Sequence, residues 1–133
     1  MNGIAFALHR DRPITPALVR ALYDHAGWWP ERTLAAIGQV LDSAPAVGAW
    51  DGERLVGFAR AVTDGNFRAY IEDVVVHEAW RRQGVATLLM ACLLDELKGI
   101  PVVSLFCKAG LVPVYQGQGF QETRQVVMHK VRS

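Results

Sequence analysis

Two carboxylates, Glu72 and Asp73, stand inside an otherwise apolar β-type run, Tyr70-Ile71-Glu72-Asp73-Val74-Val75-Val76. Carboxylates so placed can accept a proton, hold a cation or pair with a neighbouring strand, where Arg60 and Arg68 are the candidate partners. Adjacent strand residues point to opposite faces, so the two are expected to serve different roles. The run feeds a polar loop ending in Arg81-Arg82-Gln83-Gly84-Val85-Ala86-Thr87, where an amphipathic helix begins. Strand, small-residue loop and helix N-terminus direct free backbone N–H groups and the positive end of the helix dipole at one place. That is the chemistry of an anion site. Gly84 and Ala86 permit close approach, the Thr87 hydroxyl adds a donor, and Arg82 is either solvated or bonded to a second phosphate.

The rest of the chain bounds what such a site can serve. With 133 residues, 51% of them hydrophobic, one domain over residues 1–133 is expected to build its own core. A net charge of +1 leaves no electrostatic footprint for nucleic acid or an anionic membrane. Cys92 and Cys107 lie in apolar runs and read as reduced core thiols, which fits a cytoplasmic protein. Ile4 to Leu8 is too short for a signal segment, and no apolar run reaches bilayer length. His9, His25, His77 and His129 have no ligand spacing, so no metal is expected; His77, nearest the loop, is a candidate proton relay.

Periodicity supplies the positioning elements. A strand is expected over Ile4 to Leu8, then a helix opened by Thr15-Pro16 and running to about Ala26, with Leu18, Leu22 and Ala26 inward. A second helix is expected from about Glu31 to Leu41, with Leu34, Ile37 and Leu41 inward. Ala46–Trp50, Arg54–Thr63 and Phe67–Val76 read as an antiparallel meander turned at Asp51-Gly52 and Asp64-Gly65-Asn66. The helix after the loop carries Val85, Leu88, Leu89, Cys92, Leu93 and Leu97 on one stripe and stops at Gly99 and Pro101. Val102–Cys107 reads as a central strand parallel to the one before the helix. A short helix near Pro113–Gln118 and a last strand near Val126–Val131 complete an α+β chain with a mixed sheet. A dinucleotide fingerprint would need a first βαβ unit and a later ribose carboxylate, and neither is in place.

Arg81-x-x-Gly84-x-Ala86 resembles the acyl-CoA pyrophosphate loop of the GNAT family of N-acetyltransferases, Gln/Arg-x-x-Gly-x-Gly/Ala. Tyr115-x-x-x-Gly119-Phe120 is similar to the family's Tyr-x-x-x-Gly-Phe ending, and the element order is similar to its fold, a mostly antiparallel mixed sheet flanked by about four helices. Leu55-Val56-Gly57-Phe58-Ala59-Arg60-Ala61 with Asp64 resembles the serotonin-type and arylalkylamine-type branch, while Tyr70-Ile71-Glu72-Asp73 is similar to the strand of spermidine/spermine acetyltransferases. Ala86 takes the last glycine slot, Glu78 stands where many members have proline, and Lys108 and Leu111 where they often have Asn and Ala.

The resemblance implies acetyl transfer from acetyl-CoA to a primary amine in a ternary complex, with no metal. The acceptor would be a small aromatic or alkyl amine. A polyamine or protein-lysine acetyltransferase and a non-catalytic acyl-CoA-binding module are the alternatives. Arg81, Arg82, Gln83, Gly84, Val85, Ala86 and Thr87 would hold the pyrophosphate. Val74 and Val76 would meet the cofactor arm through main-chain groups beside a β-bulge, with an N–H near Val76 on the oxyanion. Glu72 or Asp73 would take the amine's proton. Tyr115 would protonate the leaving thiolate, against the alternative of a core tyrosine with a satisfied hydroxyl. Trp28-Trp29-Pro30 would form an aromatic substrate wall or else a packed helix corner, and a homodimer is expected from the family's habit. Cys107 as a nucleophile is disfavoured, since no histidine partner is identifiable and a core thiol is hard to ionise.

Overall fold

The computed structural model describes residues 3–132. Strands β1 (Ile4–Leu8), β2 (Ala46–Asp51), β3 (Arg54–Thr63), β4 (Arg68–Val76) and β5 (Val102–Ser104) form one sheet in that order. The first four are antiparallel and β5 runs parallel to β4, as the sequence predicts. Helices α1 (Pro16–Ala26) and α2 (Leu34–Ser43) cover one face, α3 (Val85–Glu96) covers the other, and α4 (Val112–Gln116) follows β5.

Local chemistry sets the boundaries. Thr15 and Thr33 cap α1 and α2, their hydroxyls accepting from Leu18 N at 3.3 Å and Ala36 N at 3.1 Å. Helix α2 therefore starts at Leu34 rather than near Glu31, which leaves Leu34 exposed instead of inward. The β3–β4 turn is closed by Asp64 Oδ1, which accepts from Asn66 N, Phe67 N and Arg68 N at 2.8, 2.7 and 3.2 Å. Phe67 stays outside the strand and exposed.

Two apolar clusters hold the layers together. Val19, Leu22 and Tyr23 of α1 with Ile37 and Leu41 of α2 pack on Phe58 and Val75. On the opposite face Val85, Leu89, Met90 and Leu93 of α3 pack on Val56, Ala59, Ile71 and Val76. Met90 replaces the expected Leu88, which is exposed. Gly57 lets α3 approach: a Cβ there would lie 3.0 Å from Leu89 Cδ1 and 3.2 Å from Val85 Cγ1. Gly57→Ala is expected to cost about 1–3 kcal/mol by overpacking, read as a lower urea midpoint; an unchanged midpoint would show that α3 can shift outward freely.

Three expectations at the C-terminal end fail, the first because β5 stands at the edge of the sheet and not at its centre. Strand β5 ends at Ser104, so Cys107 is exposed and no core thiol, and Cys92 is half-buried; both are free. Val126–Val131 forms no strand, and Val126, Met128 and Val131 are more than four-fifths exposed. The segment has β propensity but no ladder partner, and a strand exists only when paired. No helix among the described residues is long and apolar enough to cross a membrane.

Candidate active site

The site is organised by one extra residue in β4. Gly57 and Phe58 pair with Val76 and Val75, but Arg60 pairs with Glu72, so Ala59 alone faces both Asp73 and Val74. This is the bulge that the resemblance implies. Asp73 carries it at φ +56°, a left-handed conformation that Asp tolerates better than most residues. The bulge overturns the expectation that Glu72 and Asp73 face opposite sides. Ile71, Val74 and Val76 point to the α3 core, whereas Glu72, Asp73 and Val75 all lie on the α1–α2 side.

There the two carboxylates share two arginines. Arg60 Nε donates to Asp73 Oδ2 and Arg60 Nη2 to Glu72 Oε2, each at 2.7 Å. Arg32 Nη1 donates to Asp73 Oδ2 at 2.8 Å, while Arg32 Nη2 is 3.7 Å from Glu72 Oε1. Tyr23 Oη also donates to Asp73 Oδ2 at 2.8 Å. Burial opposes ionisation of Asp73, yet the hydrogen bonds from Arg60 and Tyr23 and both guanidinium charges outweigh it and lower its pKa. The Tyr23 phenol is pushed up to about 12 by burial and then by Asp73, so it remains a donor. The Asp73 side chain is 1% exposed and that of Glu72 is 25%. Asp73 Oδ2 thus accepts three hydrogen bonds within a side chain closed to solvent, and Glu72 is the more exposed of the two carboxylates. Sequence reasoning named Arg60 as an ion-pair partner but missed Tyr23 and Arg32. Tyr23 could have been found from its i, i+4 spacing to Val19 on the buried face of α1; Arg32 lies in a loop and gives no such signal.

Past Tyr70 the ladder to β5 ends, and the unpaired edge of β4 forms one side of a groove. The β4–β5 ladder covers only Arg68–Tyr70 against Val102–Ser104. His77 N donates to Val56 O at 2.8 Å, so alternation turns the N–H and C=O of Val76, and of Val74 before it, toward the opposite edge. The Val76 carbonyl lies there, accepting from Arg81 Nε at 3.0 Å, which leaves the Val76 N–H facing the groove.

At the end of this groove sits the loop. Gly84, at φ +80°, is the N-cap of α3 and gives no side-chain cap, so the amides of the first turn are left for a ligand. Arg82 is also left-handed, at φ +64°. Arg82, Gln83, Ala86 and Thr87 are exposed, while Val85 is 1% exposed and can offer only its backbone. An uncapped N-terminus with small residues around it fits a pyrophosphate.

His77 fastens β4 to this loop. Its Nδ1 accepts from Ala79 N at 3.1 Å, and its ring stacks on His25 of α1 at 3.8 Å. His25 Nε2 in turn accepts from Glu78 N at 3.2 Å. Burial, then His25 and Arg54, lower the His77 pKa below the usual imidazole value. A histidine depressed in this way contributes stability that is full above its unfolded pKa near ~6.5 and is lost as pH falls through that value toward the folded one. His77→Asn keeps a capping acceptor without a titrating ring. Between about pH 7.5 and pH 5 the unmodified chain should lose more stability to urea than His77→Asn; parallel losses would clear His77 of the effect.

Tyr115 is half-buried on α4, edge-on to Phe120 at 6.2 Å. Gly119, at φ +94°, reverses the chain so that Phe120 N returns to Tyr115 O at 3.1 Å. Gln118 Nε2 donates to Thr87 O at 3.3 Å and ties this turn to the first turn of α3. Burial, then Cys107, raise the Tyr115 pKa. Trp28 packs against the α1–α2 core, and Trp29 is 38% exposed at φ +54°. Trp29 is held through its carbonyl by Arg20 Nη1 at 3.0 Å and through its ring by Arg32 at 4.2 Å.

Comparison with known proteins agrees with this geometry. The pattern of the Acetyltransferase (GNAT) family matches residues 9–120. An uncharacterized N-acetyltransferase ycf52-like of Prochlorococcus marinus is 36% identical over 99 residues, covering 69% of this chain and 55% of that protein. Histone acetyltransferase TAP1 of Glycine max is 30% identical over 117 residues, covering 77% and 50%. The chain thus spans about half the length of these relatives. A crystal structure of an acetyltransferase described as putative, from Deinococcus radiodurans, superposes with a TM-score of 0.80 at 27% identity, covering 97% of this chain and 90% of that one. An uncapped αL glycine ahead of α3, a bulged β4 and a Tyr115-to-Phe120 turn thus occur together in a chain that belongs to the GNAT acetyltransferase family.

Proposed function

We propose that the chain transfers acetyl from acetyl-CoA directly to a small primary amine, aromatic or alkyl, in a ternary complex. The observation that carries this reading is the presence of three features in one chain. They are the open N-terminus of α3, the main-chain edge at Val74 and Val76, and the Tyr115 turn tied to Thr87. Arg81 to Thr87 hold the pyrophosphate, chiefly through backbone N–H groups. The Val76 N–H donates to the oxygen that becomes negative as the amine attacks. Glu72 takes the amine's proton, directly or through a water; the N–C bond forms as the carbonyl electrons move to oxygen, and the C–S bond breaks as that oxyanion collapses. Tyr115 returns a proton to the departing sulfur.

A second reading, protein lysine as acceptor, is supported by the Glycine max relative named a histone acetyltransferase. One experiment separates the readings: a thiol-release screen with acetyl-CoA against aromatic amines, alkylamines, polyamines, amino acids and peptides. Release with a small monoamine is expected. Release with lysine peptides alone would select the second reading. Calorimetric binding of acetyl-CoA without release for any acceptor would leave a non-catalytic acyl-CoA-binding module.

A further inference from the structure

A cavity of about 260 Å3 lies between α1, α2 and β3, beside the carboxylates but apart from the acyl groove. Its walls include Ile37, Val40, Leu41 and Phe58, and Arg32 and Arg60 are among its lining. Arg60 joins it to the reaction centre, since Nη2 of the same side chain bonds Glu72 at 2.7 Å. Two features restrict what enters. A cavity of about 150 Å3 already holds benzene, so this one takes a phenyl ring with a short chain or an alkyl chain of similar bulk. Two guanidinium groups face two carboxylates, Glu72 and Asp73, and these charges cancel. A polycation finds no excess negative charge there, and an acidic acceptor no excess positive charge. A weakly hydrated guanidinium face does accept an aromatic ring.

We propose that this α1–α2–β3 cavity receives the apolar end of a hydrophobic monoamine, with Val40 on its wall setting the length accepted and the nitrogen left at Glu72. The proposal rests on the acetyl-transfer reading above. It adds a specificity pocket built from α2, whose residues lie outside the cofactor loop and the strand that carries the carboxylates.

The test compares kcat/KM for a series from ethylamine to hexylamine, with 2-phenylethylamine and spermidine, in the unmodified chain, Val40→Trp and Val40→Ala. Folding is checked by the thermal transition and by acetyl-CoA binding. The unmodified chain should gain about fourfold per methylene that enters the cavity and should prefer 2-phenylethylamine to spermidine. Val40→Trp should flatten the series, and Val40→Ala should move its optimum to a longer chain. A flat series in the unmodified chain, a preference for spermidine, or an unaltered slope in both folded variants would overturn the proposal. If no amine releases thiol, acetyl transfer to amines fails as a reading, and calorimetry with 2-phenylethylamine then judges the cavity by itself. Binding that Val40→Trp abolishes upholds the pocket; no binding, or equal binding by both chains, overturns it.

Discussion

Tyr115→Phe should lower kcat about 10²- to 10⁴-fold, the range of a lost general acid, and leave acetyl-CoA affinity by calorimetry unchanged. The phenol is half-buried, and burial together with Cys107 raises its pKa. It therefore keeps its proton at neutral pH and can give it to a thiolate as the C–S bond breaks. The substitution removes only the hydroxyl. The ring's edge contact with Phe120 and the return of Phe120 N to Tyr115 O do not depend on it. A fall in kcat with unchanged affinity would assign the hydroxyl to the chemical step. Turnover equal to the unmodified chain, across acceptors and pH, would take Tyr115 out of the mechanism and leave it as packing.

The largest stability effect should come from Asp73→Ala, a loss of about 3–5 kcal/mol. Asp73 Oδ2 receives Arg60, Arg32 and Tyr23, and its side chain is 1% exposed. Alanine would leave two guanidinium groups sharing Glu72 and would place a Cβ without local hydrogen bonding at φ +56°. Asp73→Asn should cost less, because it tolerates that backbone and still accepts from Tyr23. The sign with pH follows from the lowered folded pKa. The carboxylate's contribution is present above the unfolded value near ~3.9 and is lost as pH falls through the folded value. Urea unfolding of the three proteins from neutral to acidic pH measures both effects. A loss under about 1 kcal/mol for Asp73→Ala would mean that the arginines find water or Glu72 at little cost.

Elements whose signals are local were legible in the sequence. Thr15-Pro16, the Asp51-Gly52 and Asp64-Gly65 turns and the Gly84 loop each state their own geometry, and the structure places them accordingly. The bulge could not be placed from Asp73-Val74-Val75-Val76 alone. Three consecutive valines satisfy either face of a sheet buried on both sides, so alternation gives no register there. Arg32 was silent because its partners are 40 and 41 residues away in the chain. Val126–Val131 misled for the converse reason: propensity was local, whereas pairing requires a distant edge.

Remove Asp73 from the text of β4 and a regular strand remains. Glu72 and Val74 would become neighbours on opposite faces, and Val75 and Val76 would keep the sides they occupy now. The apolar faces would accept such a deletion, but Arg60, Arg32 and Tyr23 would lose the buried carboxylate they share. Strand β4 thus spells one letter more than its pairing with β3 requires, and that letter carries the buried carboxylate. Among relatives, the length of this strand should tolerate change less than the identity of its valines does.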